Sequence, residues 1–245
     1  MKGAIVMNMG LYFQIDVVEV MVNSLTWFLI VYFAYRIRKK KSLVIPMWKI
    51  MVVVIIGLFS FSLELNFFET PFRFALLPLG VWLLYWFKGN KERWERYRIF
   101  AWLGFGANFL FLLATLISIP IHAGLYPSNK PDTYMANISK AALIHIHPSA
   151  KEQELDKKAL SQQLSQLEQD TFYSEEWHQD TYMNADLNKR RERFPYQLIG
   201  VASKWGSGLS PIIYLEEDGK GLLISTSKEQ YYFRSKDSIF LRKGE

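Results

Sequence analysis

The chain contains no cysteine. Disulfides, thiolate metal sites and cysteine nucleophiles are therefore excluded. An exported domain without disulfides must be stabilised by its own core, which fits a bacterial cell surface better than a secreted eukaryotic domain. Catalytic signatures are also missing. There is no nucleophile elbow, phosphate-binding glycine loop, zinc-protease helix or dinucleotide fingerprint. No inverted repeat is evident, and no pair of broken apolar segments of the kind that marks transporter sites.

Charge is scarce in the first half of the sequence and ordinary in the second. From Leu125 onward there are 16 Lys or Arg against 17 Asp or Glu, a net of −1; before it there are 13 against 6, a net of +7. The pI near 9.3 thus belongs to the apolar half. Ten of those 13 basic residues lie in two short loops, Arg36, Arg38, Lys39, Lys40 and Lys41, then Lys88, Lys91, Arg93, Arg96 and Arg98. That placement follows the positive-inside bias rather than a nucleic-acid footprint, and no nucleic-acid partner is expected.

Four apolar runs, at about 17–35, 43–63, 67–87 and 99–121, are each long enough for a hydrocarbon core of about 30 Å. The fold class expected is an α-helical membrane bundle of four transmembrane helices over residues 1–124, followed by a soluble α+β domain over 125–245. The first run lacks the layout of a cleavable signal peptide, because Asp16 and Glu19 precede its apolar centre and no small-residue cleavage site follows it. It is read as a retained helix. Lys49 interrupts the second run close enough to the basic loop to snorkel back. Glu64 and Glu69 fall in the turn expected between runs two and three. Pro71, Pro78 and Gly80 suggest a kink in the third run. Trp94 and Tyr97 stand among the basic residues, as at a headgroup interface. Gly104, Gly106 and Ala107 allow close helix approach within the bundle, and Pro120 marks the exit of the fourth run. Basic loops inside place both termini and the soluble domain outside the cell membrane.

In the soluble half, Pro127 and Pro131 mark a linker. Residues 138–147 read as a strand, with Ala142, Ile144 and Ile146 expected to face the core. Ser149 and Glu152 have capping-box spacing, so a helix is expected from there to about Gln169, with Leu155, Ala159, Leu160, Leu164 and Leu167 as its apolar stripe. The polar stretch 172–193 carries Phe172, Tyr173, Trp177 and Tyr182 and a basic cluster, Lys189, Arg190, Arg191 and Arg193. Residues 196–205, 211–216, 221–227, 231–234 and 238–242 follow as an antiparallel meander, with Asp218-Gly219 a hairpin signal.

Several residues carry candidate chemistry. Glu19 and Arg73 could pair within the membrane, as a structural clamp or, with Lys49, as part of an ion pathway. Asn23 and Asn108 read as interhelical hydrogen-bond glue. His145 and His147, two apart on a strand, share a face and could offer two imidazoles to a metal, with His178, Glu175 or Glu176 completing the site; His122 is the fourth histidine. Gly206-Ser207-Gly208 reads as a turn. Asn137-Ile138-Ser139 matches a short glycosylation acceptor that matters only in a eukaryotic secretory pathway. No cofactor is implied. The reading that results is a non-enzymatic multi-pass membrane protein whose exported domain binds a protein partner or ligand. The alternatives are a small transporter or channel component, and a metal-dependent membrane enzyme.

Overall fold

The computed structural model describes residues 15–67, 70–88, 90–171, 175, 177, 192–227 and 229–241. The chain divides into two compact units, residues 18–124 and residues 125–245 together with 1–17.

The first unit opens with α1, Val17–Lys40, whose 24 residues rise about 36 Å. Glu19 in its first turn and Arg38, Lys39 and Lys40 in its last complement the helix dipole. The hydroxyls of Ser24 and Thr26 bond back to the carbonyls of Val20 and Val22, so neither is stranded among apolar neighbours. The last helix of the unit, α4, runs Lys91–Leu125 and carries Pro120 inside it rather than at its end. Among the described residues, α1 and α4 are the helices long and apolar enough to cross a membrane.

The expected second and third transmembrane helices do not form, so among the described residues there are two candidate membrane helices rather than four. In their place stand α2, Met47–Gly57, and α3, Leu79–Lys88, of 11 and 10 residues. Each rises about 15–16 Å, half the thickness of a bilayer core. Between them β1, Phe61–Phe67, and β2, Thr70–Leu77, form an antiparallel hairpin. The cause lies in the period of the sequence. Phe-Ser-Leu-Glu-Leu-Asn-Phe alternates apolar with polar at every step, which builds a two-faced strand and gives a helix no continuous stripe. Pro71 is tolerated because it lies in a two-stranded sheet, whose strands are both edges. Pro78 does not kink a helix; it ends the hairpin just before α3.

The break in α2 is satisfied by side-chain chemistry. The Leu58 carbonyl, freed where α2 stops, accepts a hydrogen bond from Asn108 Nδ2 of α4 at 3.1 Å. The Phe59 carbonyl accepts from the Gly80 N–H at 2.7 Å. All four helices share one core, built on Ile30 and Ala34 of α1, Ile50, Val53 and Val54 of α2, Val81 and Leu84 of α3, and Phe100, Ala101 and Ala107 of α4.

The hairpin makes a direct prediction. Glu64 and Arg73 are cross-strand partners, and Arg73 Nε donates to Glu64 Oε1 at 2.8 Å. In this cysteine-free chain, Glu64→Cys with Arg73→Cys should form an intramolecular disulfide in high yield under mild oxidation, whereas Glu64→Cys with Leu83→Cys should not. Cross-strand Cβ atoms lie about 4.5–5.5 Å apart, within disulfide reach after small adjustment. Equal yields from the two pairs, read as a mobility shift after proteolysis, would rule the hairpin out.

Among the described residues the second unit is a six-stranded antiparallel sheet with the helix α5. β3 is Ala142–His145, α5 is Lys157–Gln163, β4 is Glu168–Asp170, β5 is Tyr196–Ile199, β6 is Ile212–Leu215, β7 is Gly221–Ser225 and β8 is Gln230–Arg234. The spatial order is β3-β5-β6-β7-β8-β4, so the meander β5 to β8 forms the centre. Leu160, Leu164 and Leu167 pack into the core face of the sheet with Tyr196, Leu198, Ile213, Leu215, Leu222, Ile224 and Phe233.

Several details differ from expectation. The helix starts at Lys157, not after Ser149. Asp156 is its cap, accepting from the backbone N–H groups of Lys158 at 2.9 Å and Ala159 at 3.0 Å. Ser149 instead bonds the His147 ring. The helix is short, and residues 168–170 leave it to pair with β8. β3 carries the opposite phase: Ala141 and Leu143 turn toward the core, while Ala142, Ile144 and Ile146 are exposed. The expected last strand is reduced to a single bridge, Leu155 to Phe240. Phe172, Tyr173, Tyr182, Lys189, Arg190 and Arg191 lie outside the described residues.

Candidate functional site

The densest polar constellation lies where β6 turns into β7. Glu216 follows directly on β6; its N–H bonds the Gly221 carbonyl at 2.8 Å and its carbonyl accepts from Gly219 N–H at 2.9 Å, which closes a tight turn. The Glu216 side chain is thereby tucked in, at 8% exposure for the residue. Arg193 Nε donates to Oε1 at 2.7 Å, the Tyr232 hydroxyl to Oε2 at 2.6 Å, and Arg234 Nη1 to Oε2 at 2.5 Å. Arg234 Nη2 reaches Asp218 Oδ2 as well, so two arginines and two carboxylates balance. The Arg193 guanidinium also stands 5.5 Å from the Phe194 ring centroid and 5.3 Å from that of Tyr232.

The local field acts on the protons of this cluster. Burial, then the hydrogen bond to Glu216, holds the Tyr232 phenol above its ordinary pKa. Burial works against the charge on Arg193, but the hydrogen bonds to Glu216 and Tyr232 outweigh it and raise its pKa. Both effects keep every donor protonated at neutral pH. Three donors occupy the Glu216 carboxylate, and the cluster acts as a clamp that ties residues 192–194 to the sheet.

That clamp covers only part of the sheet face opposite the core. Phe194, Leu223 and Tyr232 are buried there, with Trp177 and Tyr214 packed against them. Trp177 Nε1 donates to Glu192 Oε1 at 2.7 Å, and the Phe194 N–H to the same oxygen at 3.0 Å. Beyond this patch the same face carries Ile144, Ile199 and Ile212, exposed by 37%, 39% and 46%. Ile199 and Ile212 flank the paired residues Leu198 and Ile213, so they sit side by side. Ile144 is on the neighbouring edge strand β3, opposite Gln197. These three side chains are apolar and solvent-facing, and among the described residues β3 is an edge of the sheet. Sequence reasoning missed this surface, because Ile144 was assigned to the core face.

The other candidate residues fall as follows. β3 ends at His145, whose ring centroid is 5.5 Å from that of Tyr196. His147 lies past the strand, its Nδ1 2.8 Å from Ser149 Oγ. Among the described residues no group of three or more histidine or acidic side chains is placed to hold a metal ion. Glu175 is exposed, and His178 and Glu176 lie outside the described residues. Arg73 takes Glu64 as an ion-pair partner on the exposed face of the hairpin, and Glu19 lies in the first turn of α1. Lys49 lies 5.4 Å from the Trp48 ring centroid in the first turn of α2. Asn108 ties α4 to the end of α2, and Asn23 is a half-buried residue of α1. Glu69 lies outside the described residues. His122 falls in the last turn of α4. Asn137 Oδ1 accepts from the backbone and hydroxyl of Ser139, a local turn that occupies the side-chain oxygen. Gly206 and Gly208 both have positive φ, 78° and 66°, with Ser207 between them bridged to Asp16.

No family model matches the sequence, and neither a curated protein nor a solved structure is significantly similar to it.

Proposed function

We propose that the chain is a multi-pass membrane protein whose extracytoplasmic domain, residues 125–245, recruits a protein partner while α1 and α4 anchor it. The observation that carries the partner-binding half is the open isoleucine row beside the edge strand β3. The edge of β3 suits an extended segment that adds a strand beside Ile144, with the rest of the partner covering Ile199 and Ile212 on the same face. The membrane half is supported by the large apolar side chains exposed along the first unit, among them Met21, Phe28, Trp86, Phe87, Trp102 and Leu113.

In this reading α1 enters the bilayer from outside, α2, the hairpin and α3 form a re-entrant element from the cytoplasmic side, and α4 returns. Basic residues at both inner turns support it. So does the bond from the Val17 N–H to the Gly206 carbonyl at 2.9 Å, which with Lys204 and Leu125 puts both exits of the second unit at one loop. The test is site-specific photocrosslinking in cells. A benzophenone side chain at position 199 or 212 should give one adduct of the same identified protein, lost on Ile144→Glu, while position 236 gives none. Absence of adducts from both sites sinks the reading.

A small transporter or channel component is the second reading. It is favoured by the two half-length helices α2 and α3, which approach where the Gly80 N–H bonds the Phe59 carbonyl, since interrupted helices commonly line solute paths. A solute flux into vesicles that vanishes when the hairpin is locked as the Glu64→Cys, Arg73→Cys disulfide would select it.

A further inference from the structure

Trp205 is 85% exposed, a costly position for an indole that faces water. Its surroundings are built with care. The Trp205 carbonyl accepts from the Tyr126 hydroxyl at 3.1 Å. Lys204 Nζ donates to the carbonyl of Leu125, the last residue of α4, at 3.2 Å, and lies 5.7 Å from the Tyr126 ring centroid. A lysine there satisfies an orphan carbonyl at a helix C-terminus. On the other side of the loop the Gly206 carbonyl accepts from the N–H of Val17, the first residue of α1, and Ser207 bridges Asp16. Gly206 can be nothing larger: at φ 78°, an added Cβ would meet Val17 Cγ2 and the Tyr126 hydroxyl. The loop 204–207 therefore holds both points at which the chain leaves this unit for its two long helices.

If α1 and α4 enter a bilayer at Val17 and Leu125, the level of the loop is the headgroup layer. Trp, Tyr and Lys are the side chains that this layer favours, because each joins an apolar body to a polar end. We propose that Trp205, with Tyr126 and Lys204, is an interfacial anchor: the indole inserts among the phospholipid headgroups of the extracytoplasmic leaflet. It would fix the height of the domain at the membrane. The inference rests on the membrane reading above and adds a lipid contact that the helices alone do not require.

The full-length protein carries no cysteine, so single nitroxide labels can be placed at Trp205→Cys, Leu113→Cys and Lys236→Cys. Leu113 is an exposed apolar residue of α4, and Lys236 is an exposed residue past the end of β8 that serves as the water reference. The probe is a vesicle of phosphatidylethanolamine and phosphatidylglycerol, read by oxygen and nickel-chelate accessibility. The expected result is hydrocarbon depth at 113, full water access at 236, and several-fold lower nickel access at 205 than at 236. A label at 205 as accessible as that at 236, with 113 in hydrocarbon, overturns the anchor alone. Water access at 113 overturns the membrane reading and the anchor with it. As a second readout that leaves the backbone loop intact, Trp205→Phe should remove a component of tryptophan emission that headgroup-level brominated lipid quenches; an unchanged quenching profile overturns the anchor.

Discussion

Gly104→Leu should abolish accumulation of folded protein, whereas Gly106→Leu, two residues along the same helix, should leave it near the wild-type level. A Cβ at Gly104 would overlap the Val54 carbonyl oxygen and lie 2.9 Å from the Gly57 Cα. These are backbone atoms of α2, so no rotamer change relieves the clash. At Gly106 an added Cβ meets nothing within 4 Å. Overpacking costs about 1–3 kcal/mol when side chains can yield, and more when two backbones must part. Parting α2 from α4 would also open the core around Val53, Val54, Ala101 and Ala107. It would break the Asn108–Leu58 hydrogen bond too, stranding a carbonyl at a cost of about 1–3 kcal/mol. Lipid is as apolar as leucine, so helices in a bilayer are held together by such close contact rather than by hydrophobic burial. The check is the yield of monodisperse protein extracted in mild detergent. If both variants extract alike, the α2–α4 contact is not as close as described.

The same region shows where sequence reasoning succeeds and where it is blind. α1 and α4 stand out because a long apolar helix needs only composition and length to be seen. The hairpin between α2 and α3 has similar composition, and a hydropathy window averages away its period of two. The alternation from Phe61 to Phe67 was present and is the better signal. Asp156 and Ser149 both had the chemistry of a helix cap; the competition was decided by tertiary contacts, since the Asp156 N–H bonds the Ile239 carbonyl while Ser149 is taken by His147. The apolar stripe Leu160, Leu164 and Leu167 identified core residues even though the helix bounds were wrong. β3 was phased wrongly because both of its alternating sets contain apolar residues, and the pairing with β5 sets Ile144 opposite Gln197, on the face away from the core. The cluster on Glu216 has no motif at all. Arg193, Glu216, Tyr232 and Arg234 come from three separate stretches, brought together by the register that sets Gly221 opposite Arg234.

Glu216→Ala should be the most destabilising polar substitution in the second unit, by about 2–3 kcal/mol. Removing one partner from a fully buried ion pair costs about 3–5 kcal/mol, because a charge is left without compensation. Here the guanidinium side chains of Arg193 and Arg234 are 38% and 37% exposed, so water recovers part of that loss. Tyr232 is 3% exposed and recovers less; its hydroxyl loses the carboxylate it donates to at 2.6 Å. Arg234→Lys keeps the charge but cannot bridge Glu216 and Asp218 together, and should cost about 1 kcal/mol. Both values are read from urea unfolding of the full chain in detergent, followed by proteolysis of residues 125–245. A second readout separates the clamp from general loosening. Because Glu216 helps hold the Tyr232 phenol above the ordinary tyrosine value of about 10, the native state retains a proton that the unfolded state loses, and stability falls as pH rises past that point. Glu216→Ala should therefore bring tyrosinate absorbance to lower pH and flatten that alkaline decline. A variant as stable as the wild type, with an unmoved tyrosine titration, would mean that the aromatic patch of Phe194 and Tyr232 holds residues 192–194 without the ion pairs.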